Sequence, residues 1–154
     1  MSDWKRKTQE VPFESLPPEM IAAINKHIER YNLGPILSDA IMCIQTDSLK
    51  EKKGLFSSEE RVHTGSVITS RWLVWATSGT KTEMTVLSAQ HIDIVVQDYS
   101  QTEFAKMIPD SGINVSGKFT DVSESSTAFI GLGESDTGNK FKETVIKAVQ
   151  DSKK

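Results

Sequence analysis

The chain has 154 residues, 37 % of them hydrophobic and 25 % charged, with a formal net charge of −3. That length suits a single domain with a sizeable core, and the composition is that of a globular protein rather than a disordered one. The acidic balance lacks the broad positive field of proteins that wrap nucleic acid, and the one cysteine, Cys43, excludes an internal disulfide and a thiolate zinc cage. No nucleic-acid partner is expected. No run approaches the ~18 apolar residues of a membrane span. The charged stretch 1–7 is not followed by the apolar segment of a signal peptide, so the expectation is a cytoplasmic protein.

Residues 1–16 read as a polar, loosely docked arm with Trp4 and Phe13 as its large apolar anchors. A helix is expected over 17–33. Pro17 and Pro18 suit a first turn, where a missing N–H costs nothing, and Glu19 favours the positive end of the helix dipole. Ile21, Ile24, Ile28 and Tyr31 then recur at spacings of three and four along one face. Asn32-Leu33-Gly34-Pro35 stops the helix. The apolar stripe must cover something: its own domain, or a partner.

From Ser38 onward the pattern is that of strands. Residues 40–44 form an apolar run in which Cys43 reads as a buried small hydrophobe. Residues 47–53 are charged and 54–58 form a loop. The run 61–76 is rich in Val, Ile, Thr and Trp, with Gly65 marking a bulge or bend. Residues 77–80 read as a turn between two strands. Further strands are expected over 82–87, 92–97, 113–119 and 128–132, with a loop over 98–112 that has room for one short helical turn. A C-terminal helix over 139–151 carries Phe141, Val145, Ala148 and Val149 on one face, preceded by several capping side chains over 135–139. About seven short strands joined by turns should pair as antiparallel neighbours and curl toward a barrel of residues 38–134.

The chemistry-bearing residues are sparse. His27, His63 and His91 show no metal-ligand spacing, and Gly131-Leu132-Gly133 is too short for a dinucleotide fingerprint. A Cys43–His63 nucleophilic pair has only its residue types in favour, because an apolar run disfavours a thiolate. No catalytic residue, metal or cofactor is expected. The basic set Lys50, Lys52, Lys53 and Arg61 flanks the loop between the first two expected strands. It reads either as a salt-bridged, solvated hairpin with Glu51, Glu59 and Glu60, or as a site where cations converge on an anionic group. Trp72 and Trp75, three apart on one strand, point to opposite faces. One belongs to the core and the other is placed to anchor an interface, and the pattern fits either assignment.

The run from Thr64 to Ala76, a hydrophobic stretch with Thr69, Arg71 and the bulky Trp72-Leu73, is similar to a recurring strand of bacterial pleckstrin-homology-like domains. The segment 88–95 and the final amphipathic helix extend the resemblance over roughly 38–152. It implies a PH-like antiparallel barrel closed by its C-terminal helix, with the helix at 17–33 as an addition in front. It also implies a non-enzymatic binding module for protein–protein contact or self-assembly. On that reading Ile21, Ile24, Ile28, Tyr31, Trp72 and Trp75 are the interface candidates. Binding of an anionic lipid headgroup by the basic hairpin is the alternative, although the acidic residues at 59 and 60 stand where a phosphoinositide-binding relative would carry lysines. A helix-grip fold enclosing a hydrophobic ligand beneath the last helix is a third reading.

Overall fold

The computed structural model describes residues 2–154; Met1, the first residue of the expected arm, lies outside them. The arm is a strand. Residues Trp4–Glu10 (β1) pair antiparallel along their whole length with the second half of β2, from Trp4 opposite Lys50 to Glu10 opposite Ile44. Its inward positions are Arg6 and Thr8, alternating with exposed Lys5, Lys7 and Gln9. The period of two is there, but its inward face is polar, so no apolar alternation announces it.

A short 3-10 turn leads to helix α1, Pro18–Arg30, which begins with proline in its first turn as expected. Four strands follow in a meander: β2 Ala40–Lys50, β3 Glu60–Thr69, β4 Trp72–Gly79 and β5 Thr85–Gln90. The long run 61–76 is therefore two strands. Its break is chemical: the Thr69 hydroxyl accepts from the backbone N–H groups of Arg71 (3.3 Å) and Trp72 (2.9 Å), a side-chain turn that reverses the chain. The hairpin expected at 77–80 falls slightly later, where Gly79 N–H donates to Thr82 O. Beyond a 3-10 turn at His91–Asp93 come β6 Ile94–Asp98, a short helix α2 Phe104–Met107, β7 Gly112–Gly117 and β8 Ser126–Gly131. Helix α3, Asp136–Ser152, ends the chain, with Ser135 accepting from Gly138 N–H at its start.

The eight strands form two antiparallel sheets, β1-β2-β3-β4-β5 and β6-β7-β8. They do not close into one barrel, which corrects the expected architecture. The 3-10 turn after β5 carries the chain out of the first ladder, so β5 and β6 do not pair. The sheets are joined at their sides by isolated bonds instead. Thr120 N–H donates to Ser88 O beside β5, and the Thr8 hydroxyl of β1 donates to Leu132 O just past β8.

The five-stranded sheet is covered on both faces. Between the two sheets and α3 lies the larger core: Met42, Ile44, Ile68, Leu73, Trp75, Ile94, Ile113, Val115, Phe119, Ile130, Leu132, Phe141, Val145 and Val149. Trp75 meets Phe119 edge-to-face at 5.5 Å. On the opposite face, Leu16, Met20 and Ile24 pack on Cys43, Val67, Val74 and Ala76. Alternation along β4 sends Leu73 and Trp75 to one core and Val74 and Ala76 to the other, as a period of two requires. Gly65 marks no bulge. It pairs regularly with Gln45 and Ala76, and a Cβ there would run into the Met20 sulfur, so the glycine lets α1 lie close on β3. The one irregularity of this ladder is in β2, between Ala40 and Met42.

Candidate functional site

The β2–β3 hairpin reaches beyond the sheet through residues 51–59, all of them exposed. Its turn is built rather than slack. Gly54 takes a left-handed φ of 84°, Lys53 N–H donates to the Ser57 hydroxyl at 2.6 Å, and that hydroxyl lies against Lys53 O. This geometry sets Leu55 and Phe56 at the tip, 87 and 102 % exposed, more open than any other large apolar side chain of the described residues. Nothing among the described residues covers them.

The basic set surrounds this tip, and the structure divides it. Lys53 pairs with Asp3 at 2.6 Å and Arg61 with Glu59 at 2.8 Å, while the neighbouring Lys5 takes Glu51 at 2.6 Å. The hydrogen bond from Lys53 lowers the Asp3 carboxyl below its usual range, and the bond from Lys5 does the same for Glu51. Such exposed pairs contribute little stability and exchange readily with another anion. Among the described residues Lys50 and Lys52 have no carboxylate partner; Lys50 Nζ stands 6.0 Å over the Trp4 ring instead. The hairpin is thus part ion-paired and part free, with two apolar side chains at its end. Sequence reasoning found the cations but passed over Leu55-Phe56, whose signal was two large apolar residues inside a loop between charged flanks.

The interface candidates are distributed differently. Ile24 is fully buried and Ile21 and Ile28 pack beside it on the five-stranded sheet, so the apolar stripe of α1 covers its own domain. Tyr31 is half-buried, its ring 4.9 Å from His27. Trp75 is a core residue, which removes it from the surface; Trp72, on the opposite face, is half-buried against the core under α1. Ile24 and Trp75 therefore cannot anchor a partner in the folded chain. A patch that the sequence reading left inside a loop is exposed instead: Phe104 and Met107 of α2, with Ile108.

The remaining titratable groups do not assemble into a reactive centre. Cys43 is buried and its thiol is pushed up to about 12, by desolvation first and then by Glu14 and Glu10. It lies opposite Val67, four positions along β3 from His63, or roughly 13 Å at strand spacing. His63 contacts Asp47 at 2.7 Å on the outer surface. Among the described residues no three His, Cys, Asp or Glu side chains converge as a metal cage, and no helix is long and apolar enough to cross a membrane.

His27 looks outwardly like a catalytic partner because its Nε2 is 2.8 Å from Ser88 Oγ, which in turn is 2.6 Å from Thr120 Oγ1. Both His27 and Ser88 are buried, so this chain ties α1 to β5 and to the segment after β7. Burial pushes the His27 pKa down; Asp121 opposes the shift and Arg30 adds to it. Buried His91 is shifted the same way. An unfolded imidazole takes up its proton near pH ~6.5, whereas these rings resist it to lower pH. Stability is therefore level above that value and is lost as pH falls through the window beneath it. Denaturant midpoints are expected to drop between about pH 7 and pH 5, with a shallower drop for His27→Gln; equal slopes would contradict a buried neutral His27.

No family model, no curated protein and no solved structure matches the chain.

Proposed function

We propose that this chain is a non-enzymatic binding module of pleckstrin-homology-like build, and that its β2–β3 hairpin docks on an anionic membrane surface. Two antiparallel sheets face each other across one core, the C-terminal helix packs over it, and the lateral bonds at Ser88 and Leu132 bring the sheets toward a barrel. These features support the build. The observation that carries the binding reading is the exposed tip: Leu55 and Phe56 in solvent on the loop that follows Lys50, Lys52 and Lys53.

Two adjacent large apolar side chains left in solvent at a loop tip offer apolar surface for burial against a partner surface. In the interfacial zone of a bilayer each would gain about 1.5–3 kcal/mol on leaving water. Lysines near an anionic surface add about 1 kcal/mol each. Glu51, Glu59 and Glu60 offset part of that attraction, so apolar insertion supplies the larger share. Protein contact or self-assembly is the second reading. With the α1 stripe committed to the domain's own sheet, its support is the exposed patch of Phe104, Met107 and Ile108.

The test is co-sedimentation of the full chain with phosphatidylcholine vesicles, with and without phosphatidylserine, at low and high salt. Binding is expected to be markedly stronger with the anionic lipid than with phosphatidylcholine alone. It should weaken, without vanishing, as salt screens the lysines, and weaken further on charge reversal at Lys52 and Lys53. Failure to bind anionic vesicles at low salt, together with a dimeric mass by light scattering, would favour the second reading.

A further inference from the structure

The single turn of α2 leaves an apolar face without a partner. Phe104, Met107 and its C-terminal neighbour Ile108 fall at i, i+3 and i+4, a spacing that brings three side chains together on one face. They are 67, 83 and 67 % exposed, so that face is turned to solvent rather than to either core. Glu103 and Lys106 flank it with opposite charges, and what the turn offers is apolar contact.

The start of β1 joins this face to the hairpin. Asp110, two residues beyond Ile108, takes Arg6 Nε and Nη2 at 3.0 and 2.6 Å, and Ser111 lines a cavity with Ser2 and Trp4. Asp3, between those last two residues, pairs with Lys53 of the hairpin loop at 2.6 Å. Residues 2–6 are thus held between the loop that carries α2 and the loop that carries Leu55 and Phe56. Aromatic side chains continue the apolar surface across them. The Tyr99 hydroxyl donates to Ile108 O at 2.7 Å, the Tyr99 ring meets Phe129 at 4.9 Å, and the Arg6 guanidinium stands 5.5 Å from Phe129 and 5.0 Å from Trp4. Phe129 and Trp4 are both partly exposed along this line.

The size of the α2 face selects its occupant. Three side chains open to this degree present on the order of 400 Å², about half of the ~800 Å² that each partner buries in a stable complex. A second copy of the chain seated on this face alone would be held too weakly. Continued through Trp4 to the hairpin tip, the same face suits a surface that meets both loops, and the interfacial zone of a bilayer accepts tryptophan and apolar side chains together. We infer that α2 is a second point of membrane contact, with Phe104, Met107 and Ile108 entering the interfacial zone alongside Leu55 and Phe56. This inference rests on the docking of the hairpin proposed above.

The test attaches an environment-sensitive fluorophore to full-length Met107→Cys, Phe56→Cys and Asn25→Cys proteins. Cys43 is buried with its thiol pushed up to about 12, so the label goes to the exposed cysteine. On phosphatidylserine-containing vesicles the emission should shift to the blue for the labels at 107 and 56. The label at 25, on the outer side of α1, should stay unchanged. The uncharged double change Met107→Ser/Ile108→Ser, at two exposed positions, should keep the denaturant midpoint of the parent and lower vesicle affinity about tenfold or more. A shift at 56 without one at 107, or equal affinity of the serine variant and the parent, would overturn the second contact and leave the hairpin reading in place. No shift at either position would remove both. A dimeric mass by light scattering that becomes monomeric in the serine variant would assign the face to a second copy and overturn the membrane contact.

Discussion

Removing the Asp110 carboxylate, by Asp110→Ala, is expected to lower stability by about 3–5 kcal/mol, because it strands the Arg6 guanidinium inside the protein. Arg6 Nε and Nη2 reach the two Asp110 oxygens at 3.0 and 2.6 Å, and Nη1 donates to Ser48 Oγ at 2.7 Å. Both side chains of the pair are only 9 % exposed. The guanidinium also sits 5.0 Å from the Trp4 ring and 5.5 Å from Phe129, and it occupies the place where a Cβ on Gly131 would stand. This one group fastens β1 to β2, to the segment before β7 and to β8. At roughly 2–4 °C per kcal/mol for a chain of this size, the melting temperature should fall by about 10 °C. Replacing both partners with apolar residues, Arg6→Met with Asp110→Leu, should recover most of the loss, since the penalty comes from the unpaired charge rather than from a missing attraction. Denaturant melts of the single and double variants measure both effects. A loss below about 1 kcal/mol for Asp110→Ala would show that the pair is solvated.

Ile24→Asp is expected to prevent stable folding at 25 °C. Ile24, on the inner face of α1, is fully buried against the apolar surface of Cys43, Val67, Val74 and Ala76, which offers a carboxylate no charge partner. The neighbouring exposed change Asn25→Asp should stay within about 0.5 kcal/mol, which separates burial from any effect of charge on the helix. The same packing decides the fate of a chain that starts at Leu37. Such a chain loses α1 and β1 together, uncovering Cys43, Val67 and Val74 and leaving Asp110 without Arg6. It should aggregate rather than give a clean monomer, as light scattering would show. A folded Ile24→Asp protein, or a monomeric truncation, would mean that α1 is a detachable element after all.

These two regions also show what could be read from the residues alone. The two long helices, α1 and α3, were legible, because each carries proline or a capping serine at its start and a three-and-four apolar spacing after it. The period of two along 72–76 likewise placed Trp72 and Trp75 on opposite faces, although only burial tells which one the larger core takes. The strand β1 was not legible: its inward residues are Arg6 and Thr8, whose partners Asp110 and Thr46 lie far away in sequence. Polar interiors leave no hydrophobic signature. The division of 61–76 was hidden for a similar reason, since Thr69 reads as a strand residue until its hydroxyl is seen to cap the turn. In the hairpin the cations were found, and of the expected carboxylates only Glu59 pairs with one of them, Arg61, while Glu51 is taken by Lys5. Lys53, however, pairs with Asp3, which only the docking of β1 brings near. Gly65 was read for its local backbone, yet its role depends on a helix that crosses it.

Entry of the hairpin tip into an anionic bilayer is tested by comparing the full chain with its Leu55→Asp/Phe56→Asp variant on phosphatidylserine-containing vesicles. Both side chains are fully outside the core, so the variant should keep the stability of the parent. The variant should lose vesicle affinity by about 100-fold or more, from two apolar groups each contributing about 1.5–3 kcal/mol. Tryptophan emission, to which Trp4 beside Lys50 contributes together with Trp72 and Trp75, should shift on vesicle addition for the parent and not for the variant. Equal affinity of the two proteins for the vesicles would contradict insertion of the tip and refute the proposed mode of docking.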